Sequence, residues 1–151
     1  MDAPGALRLA RSLVAEHGLR GWSVGLDRAV RRAGATHYRD QRITLSRHLV
    51  GLYTEDEVRE VILHEIGHAL AGAQAGHGPR WRAAVVRIGG TPRRTTRPDS
   101  PTVPAPWVGR CPAGHEHQRF QRPRATYLCR RCPRTRTSAA VIEWTYVRGA
   151  A

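Results

Sequence analysis

The sequence predicts an α+β fold in which helices pack on a small sheet, followed by a small domain stapled by metal. Three observations point there. Apolar residues recur at helical spacing in three stretches of the first 90 residues, and two short alternating stretches lie between the first two of them. Beyond residue 106 the chain is poor in aliphatic residues but carries paired cysteines and histidines. At 151 residues it is about one domain long with room for an appendage, enough to bury a core.

The first helix is expected over 4–17, where Leu7, Ala10, Leu13 and Val14 share a face and Gly18 makes a stop. "GWSVGL" (21–26) sets Trp22, Val24 and Leu26 to one side, and "QRITLS" (41–46) sets Ile43 and Leu45, so both read as strands. "TEDE" (54–57) opens the second long helix as a capping box, with Thr54 as cap and Glu57 three residues on. Val58, Val61, Ile62, Ile66, Ala69 and Leu70 carry its period to about Ala71, and Gly72 suits its end. Pro79 starts a third helix with Trp81, Val85 and Ile88 on one side. Residues 91–106 are rich in Pro, Thr and Arg without periodicity and read as a linker or long surface loop, dividing a domain at 1–90 from one at 107–148.

No apolar run approaches the roughly 18 residues of a membrane helix, and the N-terminal segment is amphipathic rather than a leader. A cytoplasmic protein without a membrane partner is expected, with a monomer as the favoured state. An odd count of three cysteines argues against a disulfide framework and suits metal ligation in a reducing compartment.

All 25 cationic residues are arginine, and the net charge is +13. Residues 1–77 hold 10 Arg against 9 acidic residues, whereas residues 78–151 hold 15 against 3. Codon bias explains arginine in place of lysine but not this polarity, because the exchange leaves charge unchanged. One-sided basicity is the footprint of a polyanionic partner, most simply nucleic acid, and a nucleoid-associated location follows.

"VILHEIGHALAGAQAGHGPRW" (61–81) carries the chemistry. Residues four apart share a helix face, so His64 and His68 can offer imidazoles to one ion. Glu65, one position round, stands beside that ion, placed to take a proton from water and hand it to a leaving amine, as in H-E-x-x-H metallopeptidases. Catalytic zinc takes three protein ligands and keeps one place open, and His77 is the expected third, brought back by the chain after Gly72. Random order of this composition yields about 0.02 such motifs, so chance is a poor explanation. The metzincin subclass is excluded: its third histidine falls six positions after the second, here the interval is nine, and Met1 is the sole methionine. Zinc is inferred from the ligand types; manganese and cobalt accept similar donors.

Cys111 and His115, then Cys129 and Cys132, supply a second set of four ligands, the pattern of a structural zinc ribbon, with His117 as the alternative to His115. Gly114 eases the turn beneath His115 and favours it. Around these ligands Arg119, Arg122, Arg124, Arg130, Arg131, Arg134 and Arg136 are candidate DNA contacts, blind to sequence and sensitive to salt. Trp107, Phe120, Tyr127 and Trp144 are interleaved; stacking on bases is possible for them, but core packing is the favoured role in so small a fold.

The order "GWSVGLDRAVRRAG", "RITLSRHL", "EVREVILHEIGHALAG", "GHGPRW", "CPAGH", "CRRC" resembles the SprT-like metallopeptidases, whose eukaryotic relatives include Spartan; the resemblance runs from about residue 7 to 146. It implies a minimal zincin-like domain with His64, His68 and His77 on zinc and Glu65 as catalytic acid/base, then a zinc ribbon. The Spartan branch degrades proteins crosslinked to or trapped on DNA, with DNA switching on proteolysis, so protein substrates on DNA are the expected partners. A histidine stands where the family's first ribbon pair often has a cysteine. Two rivals remain: a DNA-binding zinc protein or regulator whose H-E-x-x-H site is non-catalytic, against which Glu65 speaks, and a peptidase with one regulatory target.

Overall fold

A computed structural model of the chain describes residues 1–96, 99–132 and 140–147. It falls into two units, Met1–Thr102 and Val103–Ala151. The first mixes helices with one small sheet. Helix α1, Ala3–Glu16, starts on Asp2, whose carboxylate accepts the Gly5 N–H at 2.9 Å, with Pro4 in the first turn. Ala6, Ala10, Leu13 and Val14 form its buried face, and the chain leaves at Gly18 with φ of 73°.

Strands β1 (Ser23–Asp27), β2 (Gly34–His37) and β3 (Arg42–Ser46) form a sheet in the order β1-β3-β2. β1 runs parallel to β3, and β2 antiparallel to it. The central strand is buried at four consecutive residues, Ile43 to Ser46, and the sheet edges are only half-buried. Strand β2, "GATH", was not foreseen. It has no apolar alternation, and its conformation follows from pairing with β3 rather than from local pattern. A single turn, α2 (Arg47–Val50), continues directly from β3 and is capped by Ser46 Oγ.

Helix α3, Glu55–Ala71, opens on the expected capping box: the Glu57 N–H donates to Thr54 Oγ1 at 3.3 Å, and the Thr54 N–H donates to Glu57 Oε2 at 2.9 Å. It ends at Gly72, φ 85°. The helix packs against α1, β2 and β3 and also against α4 (Pro79–Arg87), which explains why its buried residues, among them Val58, Ile62, Leu63, Ile66 and Gly67, do not form one narrow stripe. Gly67 is the point of closest approach to α4. A Cβ there would collide with Val85 Cγ2 and come within 3.3 Å of Trp81 Nε1. Gly67→Ala is therefore expected to destabilise the protein by about 1–2 kcal/mol, overpacking outweighing the better helix propensity of alanine, and urea denaturation of the two proteins measures it.

The segment expected as a linker is divided by the unit boundary. Its first part returns along α3: the Thr91 N–H donates to Glu60 Oε2 at 2.9 Å, Thr96 bonds the Tyr53 hydroxyl, and Ser100 Oγ donates to Glu57 Oε1 at 3.3 Å. Side chains in the first half of α3 thus hold a stretch that has no periodicity of its own.

The second unit holds a three-stranded antiparallel sheet, β5-β4-β6, from β4 (Trp107–Arg110), β5 (Glu116–Arg119) and β6 (Glu143–Tyr146). Its core is small: Cys111, Cys129, Ala140 and Ile142, with Tyr127, Cys132 and Trp144 packed on it. Among the described residues no helix is long and apolar enough to cross a membrane.

Candidate metal centres

The helical period of α3 puts His64 and His68 one turn apart, and the chain after Gly72 makes a 3-10 turn (Ala73–Ala75) before Gly76, φ 48°, swings His77 back. The three Nε2 atoms converge. His64 and His68 are 3.2 Å apart, and His77 lies 3.1 Å from each. Hydrogen bonding does not account for this triangle. Each Nε2 of a neutral imidazole is either donor or acceptor, so three of them cannot satisfy all three contacts, and at least one pairs like with like. A cation does account for it, because nitrogen ligands about 2.0–2.1 Å from a tetrahedral ion stand about 3.3 Å from one another.

The electrostatics suit ligation. Burial, then the neighbouring His68 and His77, pulls the pKa of His64 down to about 4, with a hydrogen bond to the Arg93 backbone working the other way. Burial and His77 bring His68 to about 4, and His77 is lowered by burial, Arg94 and Arg82. The rings are thus neutral at physiological pH, the form that binds metal. Trp81, with no exposed surface, lies against all three, its ring centroid 4.8, 5.4 and 4.6 Å from those of His64, His68 and His77. Its indole N–H donates to the His64 carbonyl at 3.3 Å.

Glu65 is 7% exposed, and Thr36 Oγ1 on β2 donates to its Oε2 at 2.7 Å. Burial raises its carboxyl to about 7, against the pull of the Thr36 hydroxyl and Arg32. A carboxyl balanced there exchanges protons readily near neutral pH.

In the second unit the "CPAGH" turn joins β4 to β5, with Gly114 at φ 79°. His115 Nδ1 lies 3.5 Å from each of Cys111, Cys129 and Cys132 Sγ, and Cys111 and Cys132 Sγ are 3.7 Å apart. Zinc bonds of about 2.3 Å to sulfur and 2.0 Å to nitrogen space tetrahedral ligands about 3.5–3.8 Å apart, so this set also fits. Burial acts upward on the Cys111 thiol, but hydrogen bonds from the His115 and Ala113 backbone, then from Cys132 and His115, bring it down to about 6. Burial and the neighbouring thiols push Cys132 up to about 11, a crowding of sulfurs that a bound cation would relieve by stabilising the thiolate form. His117 sits outside the set of four, its Nε2 3.2 Å from Cys129 Sγ alone.

The candidate DNA-contacting arginines part ways. Arg119 lies over the Tyr127 ring at 4.1 Å and the Trp144 ring at 5.9 Å, a packing role. Arg122, Arg124, Arg130 and Arg131 are exposed, whereas Arg134 and Arg136 lie outside the described residues.

A family model described as the SprT-like family matches residues 8–101, spanning the sheet, α3, α4 and the histidine site. The chain belongs to the SprT-like family. Comparisons with curated proteins and with solved structures found no match. Membership of the SprT-like family points to a metallopeptidase-like function, and the two convergent donor sets of this SprT-like chain point to metal binding. The second unit lies beyond the matched residues. Reasoning from the sequence did not single out Thr36, the Arg93 backbone or Trp81 as a floor for the imidazoles. Of these only Trp81 left a signal, as an apolar residue at helical spacing.

Proposed function

We propose that the chain is a zinc-dependent metalloendopeptidase, a minimal zincin-like domain followed by a basic zinc ribbon, acting on proteins bound or crosslinked to DNA. The observation that carries the reading is the convergence of three neutral imidazole nitrogens within 3.2 Å on a helix whose next residue is a buried carboxyl raised to about 7. His64, His68 and His77 would hold the catalytic zinc, and the chemistry supplied there is activation of water and polarisation of a carbonyl. Glu65 takes the proton from the attacking water and returns it to the leaving amine. Trp81 backs the imidazoles and restricts their rings to one arrangement. Cys111, His115, Cys129 and Cys132 would hold a second, structural zinc.

DNA as partner rests on charge. The excess of arginine falls almost wholly in the C-terminal half, and Arg122, Arg124 and Thr126 line an open concavity of about 700 Å³ on the second unit. Phosphate contacts from such residues are independent of sequence and weaken steeply with salt. The test is a gel assay of zinc-loaded protein against a DNA-binding protein substrate, with and without single-stranded DNA. Cleavage is expected to depend on DNA and to fall as salt rises from 50 to about 200 mM. No cleavage under any condition, from protein carrying both zincs, would favour a DNA-binding module instead.

A further inference from the structure

We propose that Thr36 is a positioning residue for Glu65 and that Gly34 shapes the space in which that carboxylate works; this rests on the peptidase reading above. Positions 34 and 36 lie two apart on β2 and so share one face of the strand, the face packed on α3. Both meet the same side chain. The Thr36 hydroxyl is 2.7 Å from Glu65 Oε2 and 2.9 Å from the Glu65 main-chain oxygen; its single proton is shared between the two acceptors, and the shorter contact is the one to the carboxylate. A Cβ at Gly34 would lie 2.8 Å from Glu65 Cγ and 3.0 Å from Oε1. The strand thus offers a donor to one carboxylate oxygen and bare backbone to the rest.

Among the described residues this is the sole side-chain hydrogen bond to the Glu65 carboxylate. Oε2 has a partner, and among the described residues Oε1 has no protein donor and lies beside the bare backbone of Gly34. A buried carboxyl whose rotamer is set by a charge-assisted bond meets its proton at a fixed place, and misplacement by about 1 Å can cost on the order of 100-fold in rate. A purely structural role, pinning β2 to α3, would use only the bond to the main-chain oxygen. It would give neither Gly34 nor Oε2 a part.

The experiment compares wild type, Thr36→Val, Thr36→Ser and Gly34→Ala by kcat, KM, zinc content and Tm. Thr36→Val is expected to lower kcat by about 10- to 100-fold with KM and zinc content unchanged, and Thr36→Ser to recover most of the loss. Gly34→Ala, which keeps the hydroxyl, is expected to lower kcat by about tenfold through crowding of Glu65, and it serves if Thr36→Val fails to fold. A fall in Tm alone, with kcat intact in both Thr36→Val and Gly34→Ala, would overturn the role and leave the peptidase reading standing. Absence of cleavage by the zinc-loaded wild type would overturn both.

Discussion

Glu65→Gln is expected to lower kcat by on the order of 10³–10⁴-fold while leaving zinc content at both sites and the fold unchanged. Glutamine keeps the shape of the side chain and an oxygen for the Thr36 hydroxyl, so the 2.7 Å bond has a replacement partner and β2 has no reason to leave α3. What is lost is the ability to take up a proton and give it back. Glu65 is not among the three converging nitrogen donors, so the change does not touch the ligand set. Peptidase assays, zinc analysis and thermal unfolding of the purified variant check the three parts separately. Residual cleavage within tenfold of wild type would remove Glu65 from the chemistry, and loss of zinc from the variant would make it a structural support of the histidine site.

Much of this was legible in the sequence because its signals are local. The spacing of His64 and His68 is a property of any helix, Thr54 and Glu57 mark where that helix begins, and Gly72 and Pro79 bracket the turn that carries His77. The unread parts depend on partners far along the chain. Strand β2 exists because β3 pairs with it, and Thr36 reaches Glu65 across 29 positions of sequence. Thr91 and Ser100 are held against α3 by Glu60 and Glu57; the sequence marked Glu57 as half of a capping box with no sign of its second partner, and Glu60 carried no signal at all. Charge counting placed the basic half of the chain but did not separate Arg119, stacked over two aromatic rings, from Arg122 and Arg124, which face an open concavity.

The second large effect is expected from Cys129→Ser. The second unit spans roughly 50 residues, and among the described residues its core cluster is two cysteines, an alanine and an isoleucine backed by two aromatic rings, with Val103 and Ala105 also buried, well short of what a domain of that size needs to fold without a staple. Structural zinc supplies on the order of 10 kcal/mol in comparable small folds, as much as the whole stability of an ordinary domain. Removing one thiolate is therefore expected to unfold this unit alone: zinc content falls from two to one, trypsin cleaves at Arg124, Arg130 and Arg131, and DNA binding is lost, while the helical signal of the first unit persists. A variant that stays protected from trypsin with one zinc would show that the apolar core suffices. The same measurement separates the two histidines. His115 Nδ1 lies 3.5 Å from all three thiols, whereas His117 reaches Cys129 alone, so His115→Ala should reproduce the unfolding of Cys129→Ser. His117→Ala, which removes one hydrogen bond to a ligating sulfur, should keep the zinc and weaken its hold by about 10- to 100-fold.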